Sequence, residues 1–128
     1  MRKMTILLLM TVLMSVGVVA HAALTDNGNG TVTDSRTGLI WEKSEPGGMT
    51  WGAALSYCEG RNLGNSTSWR LPNIKELESL TDDTRWNPSI DTSKFPNAIA
   101  SLYWSSTSYA DDPSTAWYVS FYDGHVYA

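Results

Sequence analysis

The stretch Ala116-Trp117-Tyr118-Val119-Ser120-Phe121-Tyr122, followed at once by Asp123-Gly124, constrains the fold of this chain more than any other. A period of two sends successive side chains to opposite faces of a strand, and Asp-Gly is a strong two-residue hairpin signal. The spacing predicts an antiparallel hairpin with Tyr122 opposite His125, Phe121 opposite Val126 and Ser120 opposite Tyr127. One face then carries Trp117, Val119, Phe121 and Val126, which is core chemistry. The other carries Tyr118, Tyr122, His125 and Tyr127. Four rings on the less apolar face read either as a stacking platform for a planar ligand or as a second buried layer. Two-sided burial of aromatic strands is common, which favours the second reading.

Earlier segments supply partners for that hairpin. Thr31-Val32-Thr33 and Leu39 to Lys43 read as paired strands, with a turn from Asp34 to Gly38. Thr50 is placed to cap a helix from Trp51 to about Arg61, whose inner face is Trp51, Ala54, Leu55 and Cys58. Gly64 reads as the stop beyond that helix. Asn73 with Glu76 three residues on forms a capping-box pattern for a shorter helix with Ile74, Leu77 and Leu80 inward. After Asp82-Asp83 a long segment with Pro88 and Pro96 reads as irregular. Tyr103 to Thr107 is one more strand, and Asp111-Asp112-Pro113 a turn. The fold class is α+β, with two short helices packed on small antiparallel sheets and a long irregular loop region.

The N-terminus reads as an export leader. Arg2 and Lys3 precede the uncharged run Met4–Ala20, and Ala20-His21-Ala22 offers small residues for cleavage before Ala23. The alternative is a retained anchor, but a spanning helix needs about 20 strongly apolar residues, and Thr11, Ser15 and Gly17 interrupt this run. Residues 1–22 are thus a signal peptide and residues 23–128 one domain, placed outside the cytoplasm: secreted, periplasmic or on the cell surface. Without Arg2 and Lys3, seven basic residues face 13 acidic ones, a net charge of −6. That balance argues against non-specific nucleic-acid binding, which depends on neutralising phosphates. Cys58 is the only cysteine, which excludes an internal disulfide framework.

Several motifs together resemble a known family. Asp26-Asn27-Gly28-Asn29-Gly30-Thr31-Val32-Thr33-Asp34 and Thr37-Gly38-Leu39-Ile40-Trp41 resemble the opening of the Lcl C-terminal domain family, named after the Legionella collagen-like protein. Met49-Thr50-Trp51, Tyr57-Cys58 and Trp69-Arg70-Leu71-Pro72-Asn73-Ile74-Lys75-Glu76-Leu77 follow in the family's order. So do Asn87-Pro88, Phe95-Pro96, Tyr103-Trp104-Ser105-Ser106 and Ala116-Trp117-Tyr118-Val119. The resemblance implies a C-type-lectin-like domain of secreted or surface proteins, mainly bacterial. It implies an adhesin-type relative that binds sulfated glycosaminoglycans as a trimer, so a homotrimer is one expectation here. The acidic balance speaks against a polyanionic ligand. Members run on past the final hairpin to a strand with a second Cys, the implied partner of Cys58. Measured against that pattern, the closing C-terminal strand is missing at Ala128: either the sequence is a fragment, or the domain has lost that strand and its disulfide.

Catalytic chemistry has little support. Asp111 and Asp112 are adjacent and make a poor acid/base pair, and His125 has no triad or zinc-ligand spacing around it. Trp69-Arg70-Leu71-Pro72 also resembles a motif of formylglycine-generating enzymes, which need reactive cysteines. Arg70 reads better as a structural cation paired with a helix carboxylate or capping-loop carbonyls. Asp26 to Gly30 places glycine at the third and fifth positions, where an EF-hand needs oxygen ligands, so it reads as a turn. Asp82, Asp83, Asp91, Asp111 and Asp112 could supply oxygens to calcium, yet no spacing specifies a site, and no cofactor is expected.

The reading is a non-catalytic binding module for a glycan or for a cell-surface or extracellular protein, not an enzyme. Trp86, Asn87, Tyr109, Tyr122, His125 and Tyr127 are the expected contact residues. Trp41, Trp51, Cys58, Trp69, Arg70, Trp104 and Trp117 are expected to be structural. The alternative is an assembly domain whose aromatic face joins subunits.

Overall fold

The computed structural model describes Leu9–Thr11 and residues 24–128. The expected leader and its cleavage point before Ala23 lie outside the described residues, apart from Leu9–Thr11. Strands β2 (Leu24–Asp26), β3 (Thr31–Asp34) and β4 (Leu39–Glu42) form an antiparallel meander. Asp26 to Gly30 is the first of its turns: the Asn27 N–H donates to the Thr31 carbonyl at 3.0 Å. Val32 and Trp41 face each other across β3 and β4 and are fully buried. Strand β1 (Leu9–Thr11) lies on the far side of β4 and joins it to β5 (Trp69–Arg70), giving the order β2-β3-β4-β1-β5. Every pairing in this sheet is antiparallel.

Helix α1 (Trp51–Glu59) starts where Thr50 Oγ1 accepts from the Ala53 N–H, which satisfies one of the orphan donors of a first turn. Ala54 and Cys58 are its buried residues, while Trp51 and Leu55 are half-buried. The helix ends at Gly60 rather than near Gly64. Gly64 has a different task, in a turn bridged between Leu63 and Ser66, with a φ of +60°. A Cβ there would stand 3.1 Å from Thr31 Cγ2, so the turn is held against β3. Helix α2 (Ile74–Glu78) carries the complete capping box of Asn73 and Glu76 and buries Leu77.

The second sheet has the order β6 (Leu102–Tyr109), β7 (Asp112–Ser120), β8 (His125–Tyr127). Its register corrects the sequence expectation. Ser120, not Tyr122, lies opposite His125, and Tyr118, not Ser120, opposite Tyr127, so the loop is the four residues Phe121 to Gly124. The cause is tertiary. The Phe121 carbonyl accepts from the Ser89 N–H at 2.7 Å and the Tyr122 carbonyl from the Asn87 N–H at 3.1 Å, so the long segment takes the backbone groups a tighter hairpin would use. A shift of two positions preserves the faces, and Tyr118 still shares one with Tyr127. The β6–β7 turn is Ala110-Asp111, with Asp112 and Pro113 already in β7.

Trp117 is a second correction. It is half-buried and set edge-on to Tyr109, 5.4 Å between ring centroids, instead of packing beside Val119 and Phe121. The β6–β7 ladder is irregular at that point, running from Trp104 opposite Tyr118 to Ser108 opposite Ala116. β6 therefore carries extra residues there, and such bulges re-aim side chains.

Two cores result, one on each face of the second sheet. Val119, Phe121 and Tyr103 meet Val32, Trp41, Leu77, Ile90 and Phe95 on one side. Ala116, Tyr118 and Trp104 meet Ala54, Cys58, Trp69 and Leu71 on the other. Residues 82–101 contain no helix or strand, yet Ile90 and Phe95 are fully buried. The segment thus acts as a lid on the first core.

Candidate binding site

An open cleft of about 730 Å³ lies between the start of α1 and the β6–β7 hairpin. Trp51, Trp104, Tyr109 and Tyr118 supply its aromatic surface, and Thr50, Asp112, Ser114 and Thr115 its polar rim. Two indoles tie the cleft together. Trp51 Nε1 donates to the Ser105 carbonyl at 2.9 Å, and Trp104 Nε1 to the Met49 carbonyl at 3.0 Å. Each helix-side or strand-side ring is therefore anchored on the opposite element. With both indole donors used inside the protein, what these rings can offer the cleft is apolar surface.

Tyr118 continues the aromatic run. It lies edge-on to Trp104, 6.3 Å between centroids, and stacks with Tyr127 at 5.9 Å and 26°. On the rim, Asp112 Oδ1 accepts from the Ser114 hydroxyl at 2.6 Å and from its N–H at 3.1 Å. The hydroxyl, then the amide, holds the Asp112 carboxyl below its ordinary range, so it is ionised at neutral pH. The cleft pairs aromatic walls with one carboxylate and several hydroxyls. That set can stack on and hydrogen-bond a polar ring.

The six expected contact residues fall into three places. Tyr109 alone lines the cleft, its hydroxyl donating to Asp111 at 2.9 Å. Trp86 and Tyr122 form a separate exposed pair, edge-to-face at 5.0 Å and 65% and 45% exposed. Asn87, at φ 52° and followed by a cis bond to Pro88, joins that pair through its N–H to the Tyr122 carbonyl. His125 and Tyr127 are exposed on β8, both against Asp123, which accepts from the Tyr127 hydroxyl at 2.9 Å and lies 3.5 Å from His125 Nδ1. The four-ring face therefore divides: Tyr118 is buried and the other three rings are not.

Sequence reasoning missed Asp112, Ser114 and Thr115 as site residues and placed Trp51 and Trp104 among structural ones. The signal available was a hydroxyl-rich turn set between Tyr109 and Trp117. Of the other residues expected to be structural, Trp41, Cys58 and Trp69 are buried. Trp69 Nε1 donates to the Leu63 carbonyl at 3.0 Å. Arg70 makes a two-pronged pair with Glu76, 2.8 Å on each prong. Among the acidic residues, Arg85 bridges Asp82 and Asp91 at 3.0 and 3.4 Å, while Asp111 lies in the distant-in-sequence β6–β7 turn and Asp112 at the start of β7. Among the described residues no cluster of three His, Cys, Asp or Glu is placed to hold a metal ion.

The family profile of the Lcl C-terminal domain matches residues 30–128, from the start of β3 to the end of β8 and beyond it. The chain belongs to the Lcl C-terminal domain family. Domains of this family are in general non-catalytic parts of extracellular or surface-associated proteins. A search of curated proteins and of solved structures finds no match. The profile covers both walls of the cleft, so the cleft belongs to the Lcl C-terminal domain itself. Among the described residues no helix is long and apolar enough to cross a membrane.

Proposed function

We propose that this Lcl C-terminal domain is an exported, lectin-like binding module that holds a glycan in the cleft between α1 and the β6–β7 hairpin, without chemistry. The observation that carries the reading is the composition of that cleft: four aromatic side chains inside a rim of hydroxyls and one carboxylate. Sugars present apolar ring faces and a belt of hydroxyls, which match aromatic surface and oxygen acceptors respectively. Asp112 on the rim favours neutral or cationic sugars over sulfated ones. A glycan array at two salt concentrations tests this, with Tyr109→Ala as the cleft variant and Trp86→Ala as the control outside it. Removing one stacking ring should weaken binding about tenfold, by the worth of such a contact. Equal loss in both variants, or no glycan bound at all, refutes the reading.

The exposed pair Trp86–Tyr122 favours a second reading, a subunit contact, because large exposed rings clustered together mark interaction surfaces. Light scattering decides it. An oligomer, such as a trimer, that dissociates on Tyr122→Ser supports assembly, and a monomer in both forms refutes it.

A further inference from the structure

Side-chain charge in the cleft between α1 and the β6–β7 hairpin is of one sign. Asp112 is the ionised side chain on its wall, and among the described residues no Lys, Arg or His lines it. The Asp112 carboxylate is half used. Oδ1 accepts from the Ser114 hydroxyl and N–H, whereas Oδ2 receives no bond from a described residue. Asp111, beside it, accepts from the Tyr109 hydroxyl and has no ion pair among the described residues. The basic residues are committed elsewhere. Arg36, Lys43, Arg61, Arg70, Lys75 and Arg85 each sit against a carboxylate outside the cleft. Lys94 acts on Asp26 and Asp91, holding both carboxyls down.

An exposed carboxylate is satisfied by water, so the setting of Asp112 is what gives it meaning. It stands on the rim of an aromatic surface, and aromatic ring faces carry partial negative charge that attracts cations. The indole N–H groups of Trp51 and Trp104, the positive edges of those rings, are spent on the Ser105 and Met49 carbonyls. Carboxylate and ring faces therefore favour positive charge together, and the acidic balance of the whole domain adds to their field. We infer that the cleft selects amino sugars whose amine is free and protonated, with the ammonium against Asp112 and the apolar ring face on the aromatic wall. The inference rests on the glycan reading of the cleft and narrows it. Acetylating the amine removes its charge and should remove the preference. Thr115, on the same wall, is left to bond the sugar hydroxyls.

The test titrates the full chain with three oligosaccharides of equal length at mildly acidic pH and low salt, read by calorimetry. They are β-1,4-linked glucosamine, its N-acetylated form, and the corresponding glucose oligomer. The glucosamine oligomer should bind about fivefold more tightly than the other two, the worth of a good solvent-exposed ion pair. Added salt should shrink that advantage. Asp112→Asn should abolish it while leaving affinity for the glucose oligomer unchanged, because the amide still accepts from Ser114. Asp83→Asn removes the same charge beside a different cavity, bordered by Arg36 and Leu80, and should leave the advantage intact. Equal affinity for all three sugars overturns the inference, as does an advantage that survives Asp112→Asn or is lost equally on Asp83→Asn. Equal affinities that all fall on Tyr109→Ala leave the glycan reading standing and remove this one alone. Failure of all three to bind, with no glycan held on the array either, sinks both.

Discussion

Glu42 offers the sharpest quantitative check on the packing described. Its side chain is 3% exposed, at the end of β4, and its carboxylate accepts from two side chains at the C-terminal end of α1. The Tyr57 hydroxyl lies 3.2 Å from Oε1, Arg61 Nε lies 2.9 Å from the same oxygen, and an Arg61 Nη2 bond completes the set. Burial, then the neighbouring Glu42 charge, pushes the Tyr57 phenol up to about 12, so it is a committed donor at any ordinary pH. Breaking a buried pair by removing one partner costs about 3–5 kcal/mol. Arg61 is 32% exposed and can recover water, which places Glu42→Ala at the low end, about 3 kcal/mol. For a domain of roughly 100 residues that is a fall in Tm of about 12–24 °C. Glu42→Gln keeps the shape and one acceptor, and should cost about 1–2 kcal/mol. Arg61→Ala should cost more than Glu42→Gln, because it strands the buried charge rather than the exposed one. Urea unfolding at pH 7 with m-values checked measures all three. A Glu42→Ala cost below about 1 kcal/mol, or Arg61→Ala the mildest of the three, refutes the reasoning, since buried charges left unpaired are expensive.

Two further outcomes follow from the same contacts. Burial alone would raise Glu76, but the Arg70 guanidinium and the Asn73 amide outweigh it and hold its carboxyl below the ordinary 4.5. A depressed folded value contributes stability that is present above the unfolded value and lost as pH falls through the folded one. Tm should therefore drop as pH falls below about 4.5, and less steeply in Glu76→Gln; identical slopes contradict the pairing. Burial, then the nearby Glu42 and Glu59 charges, pushes the Cys58 thiol up to about 12. A thiol reagent at pH 8 should label Cys58 only after unfolding, and rapid labelling of the folded chain contradicts its place in the second core.

Local chemistry was well written in the sequence. Thr50 and Asn73 cap their helices because a short side-chain oxygen in front of an apolar-periodic run has one good use. The inward face of Val119, Phe121 and Val126 survived as well, Trp117 excepted, since the corrected register differs by an even number of positions. What was not legible was decided by distant partners. Asp123-Gly124 signals a tight turn, yet Ser89 and Asn87, more than 30 residues upstream, capture the Phe121 and Tyr122 carbonyls and widen the loop. The cleft was illegible for a similar reason. Trp51 and Trp104 are 53 positions apart, and only the crossing bonds to Ser105 and Met49 bring their rings to one surface. No local pattern marks Leu9–Thr11 as a strand, because an apolar run of that kind fits a leader equally well.

In the proposed reading the cleft, not the exposed Trp86–Tyr122 pair, receives the ligand. The chain has six tryptophans, each with an indole N–H resonance that nuclear magnetic resonance can follow singly. Titration with a glycan identified on the array should move the Trp51 and Trp104 indole signals and leave Trp86 unchanged. Movement of Trp86 with Trp51 and Trp104 still would contradict the account.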